Sequence, residues 1–366
     1  MTGIDARAAV AGARRIVVKI GSRTLAEDQG GAIFDRLAAA CASRRNTAFV
    51  VVTSGAIALG VRKLGYRARP REVARLQAAA AAGQSLLMRA YEEAFAARGM
   101  AVAQVLLTYA DLADRTRGNN ARAALAALLE AGAVPVLNEN DSVAVDEIKL
   151  DNDQLAAMVA PLVDAELVVL LSDVEGLLDS QGRRISLVRD VATEALPHVR
   201  RSTAGIGTGG MFSKVEAARR ATLAGANVVV ADAREPETLE LLLSGGDVGT
   251  LFVAAAERLT AKKYWIAFTL RPRGDVVLDR GASQAVRAKG KSVLSVGILG
   301  VRGDFRAGDA VRLVDFEGNE IARGLARCSA IDAARVAGKA RDELAEPLAD
   351  LSVVVHADEM VVGGHG

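Results

Sequence analysis

Short apolar runs alternate with longer alanine-rich segments over the first two thirds of the chain. Apolar runs of about four to eight residues predict buried strands, and longer segments with apolar residues every three or four positions predict helices. The predicted strands lie in "RRIVVKIG", "AFVVVTSGA", "VAQVLL", "AVPVLNENDSVA", "ELVVLLSDVEGLL" and "NVVVADA". This alternation predicts an α/β fold in which helices sandwich an open, mainly parallel sheet.

The pattern changes after Val253. Short apolar runs separated by glycine and charge follow, in "GDVVLD", "SVLSVGILGVRGDF" and "GDAVRLVDFEGNEIARGLA". They predict a small, mostly-β domain with glycine-marked turns. A chain of 366 residues is also longer than one ordinary core requires. We therefore expect two domains, at residues 1–257 and 258–366.

Polar or small residues follow four of the predicted strands. The segments are "KIGS" (Lys19 to Ser22), "TSGA" (Thr53 to Ala56), "NENDSVA" (Asn138 to Ala144) and "LSDVEG" (Leu171 to Gly176). Ligands of parallel α/β sheets bind outside the carboxyl ends of the strands. Four such strand ends on one sheet predict a binding site. Lys19 lies at one of these ends, so its ammonium group is expected to point towards the ligand.

A glycine-rich segment, "GIGTGGMFSK" (Gly205 to Lys214), leads into a predicted helix. Backbone N–H groups and the positive end of a helix dipole suit phosphate oxygens. A cation such as Lys214 is unfavourable in the first turn of a helix unless an anion is bound nearby, so its position also indicates a bound anion.

Two glycine-containing segments are similar to other nucleotide-binding motifs but are not assigned to them. "GIGTGG" is not a Rossmann motif, because "PHVRRSTA" precedes the glycines in place of a buried strand. "AVRAKGKS" (Ala285 to Ser292) is not a Walker A loop, because Ala285 occupies the position of that motif's first glycine.

The segment "DND" (Asp151 to Asp153) begins another predicted helix. An Asp or Asn there is an ordinary helix cap. Two carboxylates are nevertheless more charge than capping requires, and near two lysines an aspartate could hold both ammonium groups in place.

The composition argues against several classes of function. The net charge of +2 is too small to argue for nucleic acid. None of the three histidines, His198, His356 and His365, lies beside a nucleophile in the sequence, which argues against histidine acid–base catalysis. Cys41 and Cys328 offer neither a disulfide framework nor a metal cluster.

The sequence shows no signal-peptide pattern and no long uncharged apolar run. We therefore expect a cytoplasmic location and no membrane partner.

Taken in order, these motifs resemble the amino acid kinase family, and within it the glutamate 5-kinases. The matching segments are "VVKIGS", "VVTSGAIALG", "LLTYADLADRTRGNNAR", "VPVLNENDSVA", "DND", "LLSDVEGL" and "GTGGMFSK". The tail resembles a PUA domain, most clearly in "LDRGASQAV" and "GDFRAGDAVRL". The combination of "NENDSVA", "DND" and a PUA-like tail is the most specific part of the likeness.

The resemblance implies transfer of the ATP γ-phosphoryl group to the side-chain carboxylate of L-glutamate, with Mg²⁺ accompanying ATP. The product would be L-glutamyl 5-phosphate, the first intermediate towards proline. Carried over by motif, the catalytic residues are Lys19, Lys214 and Asp153, and the glutamate-binding residues are Ser54, Asp141 and Asn152. The nucleotide-binding residues are Lys19, Ser172, Asp173, Thr208, Gly209, Gly210, Met211, Phe212, Ser213 and Lys214. The sequence assigns no metal ligands.

The resemblance also implies inhibition by proline, a homo-oligomer and a functional link to glutamyl phosphate reductase. Three positions depart from the family pattern. Ser172 replaces a frequent threonine, Arg23 replaces a small hydroxyl residue, and "KLDND" lacks a glycine that often precedes "DND".

Two alternatives stay open at the level of sequence. One is another amino acid kinase, for example an enzyme acting on N-acetylglutamate. The other is an added RNA-binding role of the PUA-like tail, which carries "RAKGKS" and "VRGDFR". Solvated charge on loops explains those two segments equally well.

Overall fold

The computed structural model describes residues 3–27, 31–143, 151–199 and 210–363. The chain divides into two compact units, Met1–Arg258 and Leu259–Gly366. Among the described residues, no helix is both long and apolar enough to cross a lipid bilayer.

Eight strands and ten α-helices in the described residues build the first unit. The strands are β1 (Arg15–Ile20), β2 (Ala48–Val52), β3 (Val102–Leu107), β4 (Val134–Glu139), β5 (Leu167–Ser172), β6 (Leu187–Val188), β7 (Asn227–Asp232) and β8 (Thr250–Phe252). The helices are α1 (Gly3–Ala11), α2 (Ser22–Glu27), α3 (Ala32–Ser43), α4 (Ala56–Lys63), α5 (Val73–Ala96), α6 (Tyr109–Ala113), α7 (Arg115–Glu130), α8 (Asn152–Val159), α9 (Met211–Leu223) and α10 (Thr238–Leu243).

The eight strands form one sheet in the order β3-β4-β2-β1-β5-β7-β8-β6. Every neighbouring pair is parallel except β7 and β8, which run antiparallel. The predicted open, mainly parallel sheet is therefore confirmed.

Alternate residues of each strand face opposite sides of this sheet, and each side has its own core. In β1, Val17 belongs to one buried cluster, whereas Ile16 and Val18 belong to the other. The cluster that contains Val17 includes residues of α7, α8 and α9, and the opposite cluster includes residues of α1, α3, α5 and α10. Helices on both faces explain why these strands read as continuous apolar runs.

Two glycines bring α4 and α5 unusually close together. A Cβ at Gly60 would lie 1.7 Å from the Ala79 carbonyl oxygen, and a Cβ at Gly83 would lie 1.8 Å from the Ala56 carbonyl oxygen. Only glycine fits at these two positions, since the obstructing atoms belong to the backbone of the other helix. The contact fixes the part of α5 that carries Gln84.

The second unit is mostly β, as predicted. Its strands are β9 (Gly274–Leu278), β10 (Val293–Leu294), β11 (Ile298–Gly303), β12 (Ala310–Val314), β13 (Glu320–Ala326) and β14 (Val353–Val362), and its α-helices in the described residues are α11 (Ala261–Tyr264), α12 (Arg280–Lys289) and α13 (Ala330–Val336). The strands form one sheet in the order β10-β14-β13-β12-β9-β11. A separate apolar cluster, which includes Val276, Phe305 and Leu313, fills its core.

Candidate active site

Four neighbouring strands end at the same edge of the first unit's sheet. They are β4, β2, β1 and β5, consecutive in strand order and all parallel. Their carboxyl ends carry the four polar segments that the sequence singled out. We call this the carboxyl edge, and it is the usual place for a ligand in such folds.

Lys19, Asp153 and Lys214 meet at the carboxyl edge. The Lys19 ammonium nitrogen lies 2.6 Å from Asp153 Oδ1, and the Lys214 ammonium nitrogen lies 3.1 Å from Asp153 Oδ2. Lys19 follows Val17 by two residues in β1, which directs its side chain to the face covered by α8. Asp153 lies in the first turn of α8, and Lys214 lies in the first turn of α9.

This Lys19–Asp153–Lys214 cluster is buried and carries one excess positive charge. The exposed fractions of the three residues are 5%, 0% and 4%. Burial by itself would raise the pKa of Asp153, but the ammonium groups of Lys19 and Lys214 outweigh it and lower that pKa. Two cations held by one carboxylate leave a buried site that attracts an anion.

Two hydrogen bonds connect the N-terminal ends of α8 and α9 beside the cluster. The Ser213 hydroxyl donates to the Asp151 carboxylate, and Gln154 Nε2 donates to the Ser213 carbonyl oxygen over 2.9 Å. Asp151 also caps α8 by accepting from the Asp153 backbone N–H. Two helix N-termini therefore add their positive dipole ends to the same place.

The end of β5 supplies the next polar group along the edge. The Ser172 hydroxyl donates to Asp173 over 3.0 Å, and an exposed Arg23 guanidinium pairs with Asp173 at 2.8 Å. The hydrogen bond from Arg23 is the main reason that the pKa of Asp173 falls to about 2. Arg23, which departs from the family pattern, thus contacts a predicted nucleotide-binding residue. Asp232, at the end of the adjacent β7, pairs with Arg234.

Parts of the predicted nucleotide-binding segment lie outside the described residues, namely Thr208 and Gly209. Gly210 precedes α9 as its N-cap, without a side-chain cap. Met211 packs against the hydrophobic core, and Ser213 makes the contact to Asp151 given above.

The predicted glutamate-binding residues are dispersed along the carboxyl edge. The Ser54 hydroxyl follows β2 and donates to the Ile20 carbonyl oxygen over 2.9 Å. Asn152 begins α8, beside Asp153, and its Nδ2 lies 3.5 Å from Asn138 Oδ1. Asp141 lines a pocket of about 310 Å³ together with Ala56, Gln84 and Glu139.

Gln84 and Asn138 are polar residues of this region that the motif analysis did not assign. Both are buried, and Asn138 Nδ2 donates to Gln84 Oε1 over 2.9 Å. Asn138 lies inside the quoted motif "NENDSVA", so its position was a usable signal. Gln84 lies in an alanine-rich helix, where a single glutamine carries no recognisable pattern.

The described residues do not supply a cage for a resident metal ion. They contain no cluster of three or more His, Cys, Asp or Glu side chains suited to one, and both oxygens of Asp153 face lysines. Mg²⁺ commonly binds through substrate phosphates, a few carboxylates and water. These residues therefore fit a metal that arrives with a nucleotide better than one held by the protein alone.

Comparison with known proteins gives consistent matches over both units. The amino acid kinase family model matches residues 14–232, and the PUA domain model matches residues 274–348. A glutamate 5-kinase of Myxococcus xanthus is 46% identical, covering 97% of this chain and 98% of that protein. A glutamate 5-kinase of Moorella thermoacetica is 41% identical over the whole of both chains.

A solved structure is similar in fold. The N-acetylglutamate synthase of Neisseria gonorrhoeae, complexed with coenzyme A and N-acetyl-glutamate, superposes with a TM-score of 0.50 at 16% identity. The match covers 69% of this chain and 63% of that chain. At this level of identity the likeness concerns the fold alone.

Proposed function

This chain belongs to the amino acid kinase family, among the glutamate 5-kinases, and on that premise we propose that it phosphorylates the side-chain carboxylate of L-glutamate with ATP. The products are L-glutamyl 5-phosphate, the first intermediate towards proline, and ADP. The single observation that carries the chemistry is the buried Lys19–Asp153–Lys214 cluster with its excess positive charge.

The nucleophile needs no general base. A glutamate side chain has a reference pKa of about 4.3, so it is already ionised at neutral pH. One carboxylate oxygen forms a bond to the γ-phosphorus while the bond to the bridging oxygen of ADP breaks, and ADP leaves with that electron pair. The lack of histidine at the described site is consistent with this reaction.

The reaction needs charge neutralisation and alignment. A carboxylate approaching a polyphosphate meets like charge, and preorganised cations stabilise the transferring group. Lys19 and Lys214 serve as those cations, and Asp153 is the positioning residue that holds both ammonium groups. Because the cluster is buried, it is also screened from water, which strengthens its field.

Mg²⁺ accompanies ATP in this proposal as a metal–nucleotide substrate. It supplies additional neutralisation of the phosphate charge when bound. In this proposal the nucleotide lies along the ends of β1 and β5 and the start of α9, against Ser172, Asp173 and residues 210–214. The sequence assigns Thr208 and Gly209 to the same site.

The pocket that Asp141 lines favours glutamate over its N-acetylated form. Glu139 and Asp141 are among its lining residues, and carboxylates suit an ammonium group. N-Acetylation removes that charge. We therefore assign the pocket to the α-amino acid end of glutamate, with Asp141 as the contacting residue that lines it. Ser54 and Asn152, which lie elsewhere along the carboxyl edge, are the other glutamate-contacting residues of this proposal.

We extend the proposal to regulation and partners. Proline carries an α-carboxylate and a charged amino group, as glutamate does, so it competes for the same pocket and raises the apparent KM for glutamate. The acyl phosphate product is labile in water, which favours a functional link to glutamyl phosphate reductase. The enzyme is a homo-oligomer in this proposal, as the resemblance implies.

ADP release in the presence of hydroxylamine tests the function. Hydroxylamine traps an acyl phosphate as a stable hydroxamate, so the experiment compares hydroxamate formed from L-glutamate, N-acetyl-L-glutamate and L-aspartate. The proposal predicts hydroxamate from L-glutamate in proportion to ADP. Phosphorylation of N-acetyl-L-glutamate in preference to L-glutamate would overturn it.

A further inference from the structure

The buried side chain of Gln84 has one amide atom without a partner among the described residues. Gln84 is 8% exposed, and its Nε2 makes no hydrogen bond to any residue that the structure describes. Buried polar groups in native proteins nearly always have partners, because an unpaired donor bears the full cost of its desolvation. An unpaired donor in a side chain that lines a pocket therefore indicates that a ligand completes it.

A backbone hydrogen bond determines which atom of Gln84 stays unpaired. The Glu139 backbone N–H can only donate, and it donates to Asn138 Oδ1 over 2.9 Å. The other atom of the Asn138 amide is thus the donor Nδ2, and it faces Gln84 over 2.9 Å. Gln84 must present its acceptor Oε1 to Asn138. Its donor Nε2 is the atom left for a ligand.

The ligand atom that suits this donor is a carboxylate oxygen. Gln84 lines the pocket together with Ala80, Ala81 and Ser85 of α5, and the same pocket is lined by two acidic residues, Glu139 and Asp141. A donor and two carboxylates in one pocket match a zwitterionic α-amino acid, whose carboxylate accepts and whose ammonium donates.

The carboxylate at Gln84 must be the one that does not react. In the proposed function, the reacting carboxylate lies against the Lys19–Asp153–Lys214 cluster. Gln84 is separated from that cluster by Asn138 and then Asn152, the neighbour of Asp153. The two ends of the substrate thus lie at opposite ends of one line of amide side chains.

We propose that Gln84 is a specificity-determining residue that donates from Nε2 to the α-carboxylate of the acceptor amino acid. This inference rests on the proposed function and adds a residue that binds the α-carboxylate of the substrate. The close contact of Gly83 with α4 fixes the position of the neighbouring Gln84 beside the pocket. Asn138 is the positioning residue that fixes the orientation of the amide.

Gln84→Glu tests the inference with little change of shape. The variant keeps an acceptor oxygen for Asn138 Nδ2 and replaces only the donor with a negative oxygen. We expect the KM for L-glutamate to rise roughly 10- to 100-fold, as for a lost hydrogen bond to a charged group, with the KM for ATP and kcat changed less than about threefold. Gln84→Met, which cannot donate and adds no charge, should raise the same KM to a smaller extent.

Substrate analogues separate a lost contact from a general loss of packing. The α-amide of L-glutamate replaces the α-carboxylate with a neutral group that can donate to the carboxylate introduced by Gln84→Glu. The ratio of kcat/KM for L-glutamate to that for the α-amide should fall at least 10-fold in this variant. Gln181→Glu, at an exposed position in a turn, is the matched control and should leave this ratio unchanged.

The outcomes distinguish this inference from the proposed function. If wild type forms no hydroxamate from L-glutamate, the proposed function fails. If wild type is active, and folded Gln84→Glu and Gln84→Met keep the wild-type KM and substrate ratio, the assignment of Gln84 is overturned.

Discussion

Asp153 stays ionised although it is completely buried. The pKa of its carboxyl is lowered because Lys19 and Lys214 both lie against it and outweigh the effect of burial. Removing one lysine leaves a one-to-one ion pair, whereas removing Asp153 leaves two like charges buried together. The lysines are therefore the positions at which catalysis can be tested with the least damage to the fold.

Lys214→Met should lower kcat by roughly 100-fold or more, by analogy with removing one preorganised donor in other enzymes. Lys19→Met should have a similar effect, since both ammonium groups lie against Asp153 and both are proposed to stabilise the transferring phosphoryl group. Steady-state kinetics with thermal unfolding of each variant gives the measurement. Lys289→Met, an exposed lysine of α12, is the control. Near-normal turnover in folded Lys214→Met would contradict the role of this lysine.

Arg23→Ala should raise the pKa of Asp173 from about 2 towards its ordinary value, because the hydrogen bond from Arg23 is the main cause of the depression. With the depressed pKa, the stabilising effect of this pair is complete above about pH 4 and is lost as the pH falls towards 2. Carbon-detected NMR titration of aspartate carboxyl groups, assigned with Asp173→Asn, measures the change. Arg75→Ala, which removes an exposed pair with Glu72, should leave the titration of Asp173 unaltered.

At the level of elements, the sequence predicted the strands and helices that build the carboxyl edge. Buried apolar runs such as β1 and β5 were recognisable because helices cover both faces of the sheet. The Arg23–Asp173 pair and the Gln84–Asn138 hydrogen bond were not predictable, since both depend on side chains brought together from distant parts of the chain. Local periodicity predicts which residues form an element but not which polar atoms meet.

The crossing of α4 and α5 depends on Gly83. Gly83→Ala places a methyl group against the Ala56 carbonyl oxygen, so we expect a loss of about 1–3 kcal/mol or more in the free energy of unfolding. The displacement of α5 should also raise the KM for glutamate through Gln84. Urea unfolding and steady-state kinetics measure the two effects.

Gly118→Ala is the matched control for this helix substitution. Gly118 lies inside α7, and the nearest atom to an added Cβ is 3.5 Å away. Alanine there should stabilise the protein by about 0.5–1 kcal/mol, as glycine is a poor helix former. Equal effects of the two substitutions would show that the α4–α5 contact does not constrain the fold.

For the whole molecule, the two units contain separate hydrophobic clusters. All the residues assigned to catalysis lie in the first unit. A chain ending at Glu257 should therefore fold and phosphorylate glutamate, and residues 260–366 should fold without kinase activity. Circular dichroism, thermal unfolding and hydroxamate formation measure the outcome. A folded truncation that binds ATP but does not phosphorylate glutamate would assign the second unit a part in catalysis.

The most direct test follows an oxygen atom from glutamate to phosphate. L-Glutamate labelled with ¹⁸O in its side-chain carboxylate is incubated with ATP, Mg²⁺, the enzyme and hydroxylamine, which attacks the carbonyl carbon and releases phosphate with the bridging oxygen. If the carboxylate attacks the γ-phosphorus, the ³¹P spectrum should show phosphate carrying one ¹⁸O, formed in proportion to ADP and greatly slowed in Lys214→Met. Phosphate without the label, formed as fast as ADP, would show attack by water and contradict the account.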